Sequence, residues 1–321
     1  MKLYRPLLWF GGAVLFLAIA PFLGSETLHP TNLWDPDTLG YRIFWNLRYP
    51  RFILAMGAGG ALAVLGAIYQ NLFRNPLCEP YVLGISSAVT LGILVGEIIW
   101  GFLPMSWPSM GIGMVAAVLL IIFLLSFASS RFGTSSEKVV LFGLGINFIL
   151  SSLLFLGLSF QSQNVGGGSL RWFFGFIPWI DLRMALLFLF GSILFTTLMM
   201  VFSRALDALS LGDSVARTLG VSPQLTRNIL LLATSLVLGL TVSVVGTIGF
   251  VGLVIPHLTR LIFRPATTRA LLPQVFLLGA VFLSVADGIS RAILPPFEFP
   301  VGVITTLIGG PLFLLVLWRR N

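Results

Sequence analysis

Cysteine occurs once in this chain, at Cys78, so no intrachain disulfide can form, and two histidines are too few for a histidine-rich metal site. Charge is scarce as well: 9% of the 321 residues are charged, 57% are hydrophobic, and mean hydropathy is +1.00. So few charges cannot coat a water-soluble domain of this size, which excludes the soluble globular class. No GxxxxGK[ST] run occurs, so ATP is not bound through that loop; Gly57-Ala58-Gly59-Gly60 lies inside an apolar run with no strand before it. HExxH and cysteine-pair signatures are missing too, and His257, after Pro256 in apolar sequence, is expected to serve packing or backbone hydrogen bonding. The net charge of +8 does not imply nucleic acid, because the basic residues are spread through short connections rather than gathered in a stripe.

What is present is a series of long apolar runs, with room for about eight to eleven spans of roughly 20 residues. Ten are read, at 7–25, 50–73, 81–101, 108–128, 137–159, 182–202, 228–247, 249–263, 271–294 and 301–318. The first follows Lys2 and Arg5 and contains Ala18-Ile19-Ala20, features shared with signal peptides, but it is read as a span that directs its own insertion. The eighth is too short to cross about 30 Å of hydrocarbon alone. It is expected to recruit flanking residues, to lean on a break near Gly246 to Gly252, or to be shielded by protein. Ten spans place both termini on one side, together with 13 of the 19 basic residues. The positive-inside rule then puts both termini and the 203–227 segment in the cytoplasm.

Small residues recur within the spans: Gly57, Gly59, Gly60, Ala63, Gly66 and Ala67 in the second, and Gly143, Gly145, Asn147, Ser151 and Ser152 in the fifth. Close helix packing explains such faces, and a polar-lined passage is the second reading where Asn147 and Ser151 stand one turn apart. Asp287 and Arg291, four apart, can pair with each other. Asn75-Pro76 and Glu79-Pro80 predict a rigid turn between spans two and three. Ser162 to Pro178, with Gly166-Gly167-Gly168, Trp172 and, just beyond, Trp179, reads as an interfacial or re-entrant piece on the outer side.

One polar island interrupts this pattern, SRALDALSLGDSVARTLGVSPQLTR at 203–227. Its periodicity predicts a short helix across Leu206 to Leu209, a break at Gly212, and a second helix across Asp213 to Leu219 closed by Gly220. Asp213 near the start and Arg217 toward the end suit the helix dipole. Leu209, Leu211, Ala216, Leu219 and Val221 are expected as exposed apolar residues that lie on the bilayer or fill a partner's groove.

The run LSLGDSVARTLGV resembles the cytoplasmic coupling segment of the FecCD/BtuC-like permeases, the family serving iron–siderophore, haem and vitamin B12 uptake in bacterial ABC importers. The resemblance continues through RYPRFILAMGAGGALAVLGAIYQNLFRNPLCEPYVLGISS, GTIGFVGLVIPHLTRLIF and LLPQVFLLGAVFLSVADGISRAILPPFEFPVGVITTLIGGPLFLLVL, covering most of 45–317 in order. Tyr69, Cys78 and the short tail after Trp318 depart from the family's usual pattern.

The resemblance implies an all-α polytopic type II permease: ten helices, inverted-related halves, one transmembrane domain over 1–321 and the coupling segment 203–227 within it. Arg51-to-Leu54 and Arg227-to-Leu230 share R-x-I-L at an offset of 176, a trace of that duplication. It further implies a homodimer in the bacterial inner membrane, two copies of a cytoplasmic ATPase beneath it and a periplasmic or lipoprotein substrate-binding protein above. Coupling would fall to Leu209, Gly212, Asp213, Ala216, Arg217, Leu219, Gly220 and Val221, and binding-protein docking to Arg48, Arg51 and Arg291. Asn147, Ser151, Gly302, Thr305 and Gly309 would line the passage. No catalytic, cofactor or metal site is expected on this chain; ATP and Mg2+ belong to the partner. Iron–siderophore is the first expectation for cargo on family breadth, then cobalamin and haem. An ion-coupled secondary carrier is the alternative, disfavoured by the lack of a well-placed acidic pair deep in the spans.

Overall fold

The computed structural model describes residues 33–100, 107–131, 136–161, 173–293 and 297–318. The first expected span and the 162–172 part of the outer interfacial piece lie outside them. Within them every expected span is helical, as it must be where no water is present to satisfy backbone N–H and C=O groups. The chain enters through α1 (Leu39–Ile43), whose first turn is capped by the Thr38 hydroxyl accepting the Tyr41 N–H. A π-helical turn, Phe44–Arg48, leads into α2 (Tyr49–Leu72), with Pro50 in the first turn, where its missing donor costs nothing. Then follow α3 (Ile85–Trp100), α4 (Trp107–Arg131), α5 (Ser136–Gln161), α6 (Leu182–Val201), α7 (Ser203–Ser210), α8 (Asp213–Thr218), α9 (Pro223–Val245), α10 (Val251–Phe263), α11 (Thr268–Ala292) and α12 (Val301–Trp318).

The bundle is organised around α2. Within Leu39–Leu72, 94% of the most apolar stretch is buried, against 11% for Lys138–Phe160 in α5, which makes α2 the axis and α5 a peripheral helix. The glycines of α2 explain this. A Cβ on Gly59 would overlap the Gly279 carbonyl of α11, and one on Gly60 would stand 2.5 Å from the Phe276 ring. On Gly66 it would overlap the Gly252 carbonyl of α10, so three backbones meet where no side chain fits. Gly66→Ala is therefore expected to cost about 1–3 kcal/mol, seen as a lower thermal midpoint in detergent. Gly145→Ala, with nothing within 4 Å of the added methyl, serves as the neutral control.

The short eighth span is resolved by a break. At 13 residues, α10 rises only about 20 Å. Between it and α9 the chain runs unwound from Gly246 (φ 70°) to Phe250 (φ 69°). Groups in this segment and at its edge are bonded from elsewhere in the protein. The Phe176 N–H donates to the Val245 carbonyl (3.0 Å) and the Ile248 N–H to the Tyr81 hydroxyl (3.0 Å). The Thr305 hydroxyl donates to the Gly249 carbonyl (3.0 Å), and the Thr247 hydroxyl to the Phe173 carbonyl. Unwound backbone at membrane depth is tolerated only in such protein surroundings.

Candidate functional site

The island forms the expected helix pair, α7 and α8. Gly212 (φ 118°) joins them and Gly220 (φ 78°) follows α8, both in backbone conformations that a side chain would strain. One expectation fails: Leu209 and Ala216 are fully buried rather than exposed. The protrusion has an inner apolar face of its own, and α7 lays Leu206 and Leu209 against α2 and α11. Leu211, Val215 and Leu219 remain exposed, with Arg217 among them, and Val221 is half-buried.

Carboxylates fix the island to the bundle at two points. Both Asp213 oxygens accept from the Arg227 guanidinium of α9, at 2.6 and 2.9 Å, while Arg74 approaches to 3.5 Å. Asp207 Oδ1 accepts the Thr268 N–H (3.0 Å) and hydroxyl (2.5 Å), closing the start of α11. A polar chain continues inward from there. Asn71 donates to the Thr268 hydroxyl (3.0 Å), Arg260 donates to Asn71 and Gln70, and Gln70 donates to the Gly252 and Leu253 carbonyls of α10.

Hydrogen bonding from Arg227, and then the charges of Arg227, Arg74 and Arg217, hold the Asp213 carboxyl below its usual range despite some burial. A depressed carboxylate pKa contributes stability above the unfolded value, and that stability is lost as pH falls through the folded value. Amide exchange across 213–219 is therefore expected to stay protected at pH 5 and to rise only below about pH 4. Asp213→Ala should expose the same amides at neutral pH, whereas Arg74→Ala, removing a long pair from a half-exposed side chain, should change protection by less than about 1 kcal/mol.

The opposite end of the bundle carries arginines. Arg51 binds Asp287 Oδ1 through Nε (3.0 Å) and Nη2 (2.9 Å) and Glu298 Oε2 through Nη1 (2.9 Å), with the Phe176 ring 5.1 Å away. Arg291 reaches Asp287 Oδ2 at 3.2 Å, the expected pair one turn apart. The Arg51 side chain is 2% exposed and Asp287 1%, so these charges persist only because they are paired with one another. Arg48, Arg51, Arg291 and Glu298, with Ile43, Leu47 and Trp179, line a cleft of about 200 Å³. Within this cluster three guanidinium groups face two carboxylates, Asp287 and Glu298, a local surplus of one positive charge. Arg51 and Arg227, the arginines of the repeated R-x-I-L, thus stand at the starts of oppositely directed helices, each bound to a carboxylate.

The residues expected along a passage fall into two clusters. Ser87 of α3 donates to Asn147 Oδ1 (2.6 Å) and lies 3.2 Å from the Ser151 hydroxyl, with Gly84 (φ 76°) against the Asn147 backbone. Gly302, Thr305 and Gly309 share a face of α12 turned to the unwound 246–250 segment. Thr305 is fully buried, its hydroxyl shared between the Gly249 and Gly302 carbonyls, and a Cβ on Gly309 would lie 2.8 Å from that of Phe250. In this conformation Thr305 offers no open surface.

Sequence reasoning did not find Asp207, Asn71, Thr268, Arg260 and Glu298 as members of these networks. Asn71 and Thr268 are 197 residues apart and Arg51 and Glu298 are 247 apart. The only local signal was a polar side chain at the edge of an apolar run.

An all-helical membrane bundle with an unwound segment shielded at its core, a rigid polar protrusion at one end and an arginine cleft at the other defines a permease of the type II ABC importer class. A solved inward-facing ABC transporter assigned to the metal-chelate type superposes with a TM-score of 0.83, covering 98% of this chain and 99% of its own at 26% identity. The chain matches the FecCD transport family over residues 12–319 and belongs to it. It is 38% identical to the ABC transporter permease protein YvrB of Bacillus subtilis strain 168, covering 90% of this chain and 82% of that protein. With the vitamin B12 import system permease protein BtuC of Escherichia coli O157:H7 it shares 34% identity, over 96% of this chain and 93% of BtuC.

Proposed function

We propose that this permease, as a homodimer, moves a metal chelate into the bacterial cytoplasm, driven by two copies of a separate ATPase and supplied by a substrate-binding protein outside. The α7–α8 unit carries this reading: two short helices, held by carboxylates, present Leu211, Val215 and Leu219 outward as an apolar face with no use inside the protomer. Positive-inside charge puts that face in the cytoplasm, where an ATPase groove would receive it, and puts the arginine cleft outside. There the surplus positive charge of Arg48, Arg51 and Arg291 suits an acidic binding protein, for steering and register more than affinity. The two chains would enclose the passage between the Asn147–Ser151 faces and the α12 helices. Ion-coupled transport fits less well, because Asp287 is already committed to two guanidinium groups.

Among chelates, the BtuC relatives favour a corrinoid of the vitamin B12 type over the ferric siderophore suggested by family breadth. Proteoliposomes holding the permease, its ATPase and its binding protein, offered labelled cobalamin and ferric siderophores together, are expected to accumulate cobalamin only with ATP inside the complex's nucleotide-accessible compartment. Uptake of a ferric chelate without cobalamin would overturn the cargo, and uptake without ATP would overturn the importer.

A further inference from the structure

Helices α2 and α11 are joined along their whole length. At the arginine end, Arg51 of α2 binds Asp287 of α11; midway the backbones touch at Gly59 and Gly279, with Gly60 against Phe276. At the island end, Asn71 of α2 donates to Thr268 of α11. Arg51 and Asn71 are 20 residues apart, about 30 Å along a helix, which is the thickness of the hydrocarbon layer. Two helices tied at both ends and interlocked between cannot slide past one another without breaking a buried ion pair or forcing two backbones apart. Besides the apolar packing of Leu206 and Leu209 and the long Arg74–Asp213 approach, the island is tied to this pair by a short polar link: Asp207 of α7 takes both donors of Thr268 at the start of α11.

We propose that Asp207 is a positioning residue that makes the island and the α2–α11 pair one rigid body, so that displacement of the island reaches the arginine cleft as movement of that body. The proposal rests on the reading of the island as the ATPase-docking unit. The two faces are then coupled because each biases the same two-state element, and coupling must be reciprocal: what binds the cleft alters what the island's partner does.

The test uses the complete complex with nitroxides at Ile293→Cys, an exposed position at the cleft end of α11, in a Cys78→Ser background. In the unaltered complex, nucleotide should shift the distance between the labels of the two copies, and the binding protein should stimulate ATP hydrolysis. Asp207→Ala is expected to assemble with the ATPase yet to lose the distance shift and roughly tenfold of the stimulation, the size of a coupling energy of about 1.4 kcal/mol. Asp207→Asn, which keeps an acceptor oxygen for Thr268, is expected to restore both, an outcome that bulk destabilisation does not give. Retention of shift and stimulation in Asp207→Ala would overturn the proposal. Should that variant not assemble, Asp207→Asn and Thr268→Val carry the comparison: the first must keep the shift and the second reduce it, and equal behaviour counts against the link. Leu219→Asp separates the two levels. If it still binds the ATPase, the island reading fails; if it loses the ATPase while Asp207→Ala keeps the shift, only the rigid-body link fails.

Discussion

A permease carrying Leu219→Asp is expected to insert, fold and purify like the unaltered protein and to import almost nothing. Leu219 is 61% exposed at the end of α8, so a carboxylate there is solvated in the protomer and changes folding stability by less than about 0.5 kcal/mol. In an apolar groove of the ATPase the same carboxylate is stripped of water. A centrally placed interface residue is worth about 2 kcal/mol or more, which weakens association about thirtyfold. The checks are co-purification of the ATPase with the tagged permease and uptake of labelled chelate. Full uptake with normal expression would remove the island from the coupling path. Gly212→Asp is a less clean probe, because at φ 118° any side chain strains the backbone and the loss would mix misfolding with uncoupling.

The second large effect concerns stability. Asp287→Ala leaves the guanidinium of Arg51, and with it Arg291, without their shared carboxylate at a site 1–2% exposed. Removing one partner of a buried pair costs about 3–5 kcal/mol, because the other charge stays behind in a poor dielectric. The thermal midpoint of the purified protein should drop accordingly. Replacing both partners, Arg51→Met with Asp287→Leu, is expected to recover only part of the loss, since the buried Arg51 charge is gone but Arg291 and the partly exposed Glu298 have each lost their partner. Glu298→Gln should cost less, because Glu298 is 22% exposed and water can stand in for it. If the double variant is less stable than Asp287→Ala alone, the ion pair is not what holds α2 to α11 at this end.

Hydropathy placed the spans within a few residues because lipid demands helices wherever apolar runs are long enough: 50–73 was expected and Tyr49–Leu72 is found, 182–202 and Leu182–Val201. The island's break and closure were equally legible, since Gly212 and Gly220 are required by local backbone geometry. Which apolar face of so short a helix turns inward is not a local property, and so Leu209 and Ala216 were expected outside. The same limit hid the polar networks. Gln70, Asn71 and Asp207 are ordinary polar residues until folding brings partners 61 to 197 residues away against them. For Gly302, Thr305 and Gly309 the small-residue face was visible, but the unwound segment it covers was not.

That unwound segment also bears on biogenesis. The Gly249 carbonyl receives its hydrogen bond from Thr305, which leaves the ribosome 56 residues later, in the final helix. The Ile248 N–H, by contrast, meets an acceptor made long before it, the Tyr81 hydroxyl. Until α12 inserts, the 246–250 stretch holds a carbonyl that lipid cannot satisfy. Folding of the 246–250 segment is therefore expected to depend on α12, and a chain cut before α12 would leave the Gly249 carbonyl without this donor at the membrane's interior.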